Sequence, residues 1–342
     1  MSKHQTTLPA GVARLRRPWL LPLLIALSLL LPLLSLNIGF YGATLQQIYA
    51  YLLHGAEAVE PNIPVIVRNI RVPRIAAAFL IGAGLAVAGA AYQGMFKNPL
   101  VSPDILGVSQ GAGLGACLAL LLGWSSFGVQ AAAFCFGVVT VFLTYLIGSR
   151  AKFGQAVSLV LAGTMLRELC NASITVIKYV ADPNDVLPAI TYWLMGSLSK
   201  VDTSDLLFSL TPMALGMLAL FLLRWRLNLL TLGDEEAMAI GVDPRKVRLA
   251  AILAATIISA GAVCLGGLIG WVGLMVPHIA RGLAGADYRR MLPVAALMGG
   301  CFLLVMDDLA RSLMALEIPI GVLTALFGAP FFVMLILRRG KA

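Results

Sequence analysis

Residues 71–96 read RVPRIAAAFLIGAGLAVAGAAYQGMF, and this stretch decides the class of fold. No charged side chain lies between Arg74 and Lys97. A helix crossing a ~30 Å hydrocarbon core needs about 20 residues, and the run over 74–96 supplies them. Gly82, Ala83, Gly84, Ala86, Ala88 and Gly89 give it a small-residue face. Such faces let helix backbones approach closely in lipid, where the hydrophobic effect does not drive helices together. The 342-residue chain around it has the same character: 60% apolar, 12% charged, mean hydropathy +0.91. Soluble domains carry roughly 25% charged residues, and half that charge cannot cover a globular surface of this size. The composition excludes a soluble enzyme, a disordered tail and a nucleic-acid binder, and leaves an all-α polytopic membrane protein surrounded by lipid.

Applying the same length criterion along the chain predicts about ten transmembrane helices, at 19–36, 74–96, 104–122, 127–148, 156–178, 206–223, 247–264, 268–283, 291–310 and 320–337. The eighth is the weakest, interrupted by Gly270, Gly273 and Pro277. The organisation is a short N-terminal tail, 1–18, followed by one membrane domain, 19–342. Basic residues assign the sides, because short cytoplasmic segments retain Lys and Arg. With both termini cytoplasmic, 18 of the 25 basic residues fall on the inner side and six on the outer: Arg68, Arg71, Arg74, Lys178, Lys200 and Arg311. The net charge of +9 is therefore a topology signal rather than a binding patch.

The chain has no Gly-x-x-x-x-Gly-Lys-Ser/Thr, so any ATP it uses is bound by another subunit. It also lacks His-Glu-x-x-His, Gly-x-Ser-x-Gly and Cys-x-x-Cys, which gives no sign of a catalytic or metal centre. Cys117, Cys135, Cys170, Cys264 and Cys301 read as small residues in helices, and His278, beside Pro277, as a structural hydrogen-bonding group. Pro73-Arg74-Ile75-Ala76-Ala77 at the second span echoes Val247-Arg248-Leu249-Ala250-Ala251 at the seventh. The two spans run in opposite directions, as an inverted repeat would.

Three constellations carry mechanism. Arg71 and Arg74 enter the second span from outside, and Arg311 ends the ninth there; the guanidinium fork suits carboxylates. They fit docking of an acidic partner or pairing within the chain, Asp307 and Asp308 being four and three residues before Arg311. On the inner side, Lys97-Asn98-Pro99-Leu100-Val101-Ser102-Pro103-Asp104 cannot continue as helix through its prolines. It is a tight turn or a constriction, since irregular backbone near membrane depth lines cavities. The third is the inner polar stretch 230–248, in which 234–240 forms a short helix between Gly233 and Gly241 with acids in its first turn.

Together these residues resemble the bacterial ABC importer permeases for iron–siderophore, haem and cobalamin. The likeness lies in Arg71-Val-Pro-Arg74, Gly82-Ala-Gly-Leu, Asn98-Pro-Leu, Leu106-Gly-Val-Ser-Gln-Gly-Ala112, Gly270-Trp-Val-Gly-Leu-Met-Val-Pro-His278, Asp307-Asp-Leu-Ala-Arg311 and Gly328-Ala-Pro-Phe-Phe332. It implies a transport subunit in the bacterial inner membrane, working as a homodimer or with a closely related second permease. Two cytoplasmic ATPase subunits, which bind ATP and Mg, and a periplasmic binding protein complete the assembly; the chain itself has no cofactor. It further implies docking of the binding protein at Arg71, Arg74 and Arg311. Asn98 and Leu100 inherit a cytoplasmic gate, with a second gate near Gln155–Ser158. ATPase coupling falls to Asp234, Glu235, Glu236, Ala237, Met238, Ala239 and Gly241. The expected cargo is an iron chelate or haem, then cobalamin, then molybdate or tungstate. The other reading, a gradient-driven secondary transporter, requires an intramembrane acid. Glu168 is the candidate, with Arg167 as a sequence neighbour that does not face it.

Overall fold

The computed structural model describes residues 18–39, 44–150, 154–314 and 316–339. Residues 1–17, most of the expected N-terminal tail, lie outside the described residues. The fold is helical, and each of the ten expected spans is a helix: α1 (Leu20–Ser35), then, after the small helices α2 (Leu45–His54) and α3 (Asn62–Val65), α4 (Val72–Met95), α5 (Val108–Leu121), α6 (Ser126–Arg150) and α7 (Gln155–Val180). After the short α8 (Val186–Met195) come α9 (Thr203–Leu232), the six-residue α10 (Asp234–Ala239), α11 (Pro244–Gly266), α12 (Val272–Ala284), α13 (Tyr288–Ala310) and α14 (Ile320–Arg339). Six helical stretches among the described residues are long and apolar enough to cross a membrane, the longest running from Asn62 through a π-helical turn into Met95.

α4 is the hub, packed by α9, α11, α12 and α13. Its glycines make this possible. A Cβ on Gly82 would lie 2.1 Å from the Gly299 carbonyl oxygen of α13, and one on Gly89 would lie 1.8 Å from the Gly273 oxygen of α12. The packing role expected of the small-residue face is therefore met by backbone-to-backbone contact. α4 and α11, which open on the echoed motif, are the most enclosed of the long helices.

Each of these two helices runs into irregular backbone followed by a half-length helix, α5 with 14 residues and α12 with 13. At ~1.5 Å per residue neither crosses the hydrocarbon core alone. The expected third and eighth spans are thus shorter than the apolar pattern suggests, because the Pro103 turn and the Gly270–Trp271 segment occupy part of the depth. Trp271 takes φ 68° and Lys97 φ 49°, left-handed values that non-glycine residues seldom adopt.

Candidate functional site

At the end of the bundle that the basic residues assign to the outside, α4, α13 and α1 bring together side chains far apart in sequence. Arg74 Nε donates to both carboxylate oxygens of Asp307, at 3.0 and 3.1 Å. Its two terminal nitrogens donate to Glu317, at 2.8 and 3.0 Å. Arg311 reaches Asp307 at 3.5 Å and pairs more closely with Asp308 and the Ser35 hydroxyl of α1. Ser35 in turn donates to Asp308 at 2.6 Å. Arg71 donates to the Leu36 carbonyl. The three arginines, Asp307 and Ser35 are buried. Three guanidinia and three carboxylates balance, so the cluster is a neutral, cross-linked knot rather than an open cationic socket.

At the opposite end, α4 stops in a Schellman arrangement. Asn98 N–H donates to the Gln93 carbonyl and Lys97 N–H to that of Gly94, both at 3.1 Å, with Lys97 in the left-handed position glycine usually fills. The Asn98 side chain accepts from Leu100 N–H at 2.9 Å, fixing the turn, and Leu100 is left 53% exposed. Asp104 accepts from Ser109 N–H at 3.0 Å and so holds the start of α5. Tyr288 braces the end of α4, its hydroxyl donating to the Ala90 carbonyl at 2.9 Å beside Gly94, where a Cβ would meet that hydroxyl at 1.8 Å.

α10 lies between Gly233 and Gly241 as expected and ends at Ala239, one residue short of the expected 234–240. Ala237 is buried and anchors it, while Glu235, Glu236, Met238, Ala239 and Ile240 are exposed. Asp234 takes a bidentate bond from Arg248 of α11, at 2.6 and 2.8 Å. That bond holds the Asp234 carboxyl below the usual carboxylate range, with a smaller contribution from Lys97 of the neighbouring turn. Gly241 takes φ 84°, turning the chain back into α11. The result is an apolar tip, Met238 and Ile240, ringed by acids and stapled to the bundle by one ion pair.

The family model of the FecCD transport family matches residues 25–338. The chain belongs to that family. Among curated relatives of this permease, the molybdate import system permease protein MolB of Haemophilus influenzae is 40% identical over 93% of this chain and 96% of its own. The hemin transport system permease protein HmuU of Yersinia pestis is 42% identical over 79% of this chain and 83% of its own. A solved metal-chelate-type ABC transporter in an inward-facing conformation superposes with TM-score 0.86 at 38% identity, covering 94% of this chain and 99% of that one. The family, the helix count and the match over nearly the whole chain agree with the fold and the resemblance read from sequence.

The permease also holds features the sequence did not signal. Gly196 after α8, Gly267 after α11 and Gly321 in α14 converge. A Cβ on Gly196 would lie 2.7 Å from Leu268 O, one on Gly267 2.5 Å from Trp193 O, and one on Gly321 2.4 Å from Met195 O. Ser197 N–H donates to Gly266 O at 2.9 Å and Ile320 N–H to Gly196 O at 3.0 Å. Three glycine-marked stretches thus form one junction under α8. Near Gln155–Ser158, Ser158 is buried, and the Gln155 side chain lies outside the described residues. One expectation is corrected: Arg167 does reach Glu168, at 3.2 Å. Neighbouring helical positions diverge by ~100°, but both side chains are long and exposed, and the guanidinium curls back around the helix. Four cysteines are buried; Cys135 is exposed.

Proposed function

We propose that this permease is the membrane-spanning subunit of a binding-protein-dependent ABC importer, carrying a metal chelate or metal oxyanion across the bacterial inner membrane by ATP-driven alternating access. The observation that carries the reading is the near-complete superposition on a metal-chelate-type ABC transporter. Two copies, or one copy and a closely related permease, enclose the route. Two ATPases seat the exposed tip of α10, and a periplasmic binding protein docks at the outer end near Arg71, Arg74 and Arg311. ATP binding closes the ATPase pair, and the Asp234–Arg248 staple passes the movement from α10 into α11. The Asn98–Leu100 turn closes the inner mouth. Such a cycle needs ligands that bind the two states with different affinity, and ATP and the loaded binding protein serve that purpose. Iron chelates and haem are the first cargoes of this reading, with cobalamin and molybdate or tungstate after them.

The test is purification from native membrane followed by reconstitution. Co-purification of an ATPase, and ATP-dependent uptake of at least one of ferric citrate, haemin, cobalamin or molybdate when the binding protein is added, is the expected result. Uptake that persists without ATP and follows an ion gradient would replace the reading with a secondary transporter.

A further inference from the structure

Halfway along α7 stands an ion pair that neither packing nor the functional assignment above uses. Arg167 is 12 residues beyond Gln155, ~18 Å along the helix and so near the middle of a ~30 Å core. Its side chain is 42% exposed and that of Glu168 61%. Ionised side chains at this depth are costly against lipid and belong with water-filled cavities.

The rest of the helix says where that water lies. Projected at ~100° per residue, Thr164, Arg167, Glu168, Asn171, Thr175 and Lys178 fall within one arc of ~100°. None of them is buried. From Thr164 outward, no apolar residue interrupts that arc. The adjoining exposed arc holds Met165, Leu169, Ala172, Val176 and Tyr179. From Thr164 outward the exposed surface of α7 is therefore split lengthwise into a polar strip and an apolar strip. A lipid-facing helix has no reason for the first, and a dry protein contact has no reason for six polar groups in line. The strip carries two cations and one anion. Asp104 is within electrostatic range of Arg167 but is engaged by Ser109 N–H behind it.

We propose that the Arg167–Glu168 pair stands in the water-filled cargo route and sets its charge preference. Arg167 draws an anionic cargo inward and Glu168 tempers its hold. This rests on the importer reading and deepens it: the cargo is a net-negative chelate or an oxyanion, and a neutral corrinoid gains nothing from the strip. The pair screens itself in part, so Arg167 offers a passing anion a weak, reversible counter-charge rather than a binding site.

The experiment uses the assembled transporter in proteoliposomes, with Cys135→Ser removing the exposed native thiol. Single cysteines at Thr164, Asn171 and Thr175 are compared with Met165 and Leu169 for reaction with membrane-impermeant anionic and cationic thiosulfonates. The polar-strip positions are expected to react and the apolar-strip positions to stay protected. At Asn171→Cys, adding Arg167→Gln lowers the anionic-to-cationic rate ratio by roughly five- to tenfold, and adding Glu168→Gln raises it. Opposite signs from two neighbouring substitutions are not what loss of structure produces. Protection of the polar strip in every nucleotide state would overturn the placement, and an unchanged ratio would overturn the charge preference. ATPase activity of the same preparations reports on the importer reading separately, so the two failures are distinguishable.

Discussion

Arg74 and Asp307, on antiparallel helices and 233 positions apart, face each other at 2.9 Å, and eight residues further into the bilayer along each helix Gly82 meets Gly299. The ion pair and the glycine contact are successive rungs of one register between α4 and α13, and Tyr288 against Gly94 is the last rung at the inner end. The register carries a charge-specific lock at the outer end and a steric one in the middle.

Breaking the lock on one side leaves an uncompensated charge in a buried site. Asp307 is fully buried, so Asp307→Asn is expected to destabilise the permease by about 3–5 kcal/mol. Replacing Arg74 and Asp307 together by Met and Leu recovers most of that loss. Thermal unfolding in detergent, followed by tryptophan fluorescence, checks both variants. A double variant as unstable as the single one would show that the cluster is not a self-contained pair.

Adding one methyl at the steric rung should act differently. Gly299→Ala places a Cβ 2.2 Å from the Gly82 oxygen, with no flexible side chain in between to yield. The helices must separate, at a cost of about 1–3 kcal/mol. Because α4 also carries α9, α11 and α12, lower transport activity at temperatures where the protein remains folded is expected alongside the fall in Tm.

These rungs mark the boundary of what the sequence discloses. Span length disclosed the ten helices, since lipid imposes a run of about 20 apolar residues directly on composition. Asp307 and Asp308 were visible as partners for Arg311, being one helical turn away. Glu317 was not visible as a partner for Arg74, because nothing local in 74 or 317 encodes a contact across 243 positions. Half-length α5 and α12 were read as longer spans, since apolar re-entrant backbone and apolar helix have the same composition. The junction of Gly196, Gly267 and Gly321 was hidden for the same reason: each glycine reads alone as a turn or as small-residue packing.

Lys97 sits at the helix end in a conformation that costs an L-residue about 1–2 kcal/mol. Lys97→Gly should relieve part of this and raise Tm slightly, by an amount equivalent to about 1 kcal/mol or less. If the turn is a gate whose movement needs the strained lysine, uptake falls while stability rises. If both rise, the lysine has no such role. Parallel Tm and uptake measurements separate these outcomes.

The Asp234–Arg248 staple predicts a pH dependence with a definite sign. The Asp234 carboxyl is held below its ordinary value by Arg248, so the bond's contribution is fully present above the unfolded carboxylate pKa of about 3.9. It is lost as the pH falls through the lower folded value. Hydrogen exchange of α10 should therefore be protected at neutral pH and loosen only in the acid limb. Arg248→Met should remove the acid step and leave α10 loose throughout, with weaker retention of the ATPase.

The outer cluster also changes which variant tests docking of a binding protein. Reversing the charge of Arg71, Arg74 and Arg311 would tear out three buried groups and destabilise the α1–α4–α13 junction, so lost docking would say nothing about contact. Glu317 offers a cleaner handle. Its side chain is 31% exposed while its partner Arg74 is 7% exposed, so it forms the solvent-facing lid of the pair. A partner carboxylate reaching Arg74 must displace it. Glu317→Gln keeps the shape, leaves Arg74 held by Asp307, and removes the competing charge. If docking uses Arg74, the binding protein should bind this variant more tightly by about 1 kcal/mol, roughly fivefold in Kd, and the gain should shrink at high salt as a rim electrostatic effect does. Unchanged affinity, measured by surface plasmon resonance on nanodisc-embedded transporter, would assign Arg74 wholly to the lock between α4 and α13 and move the docking charge to the exposed Arg68, six residues before it.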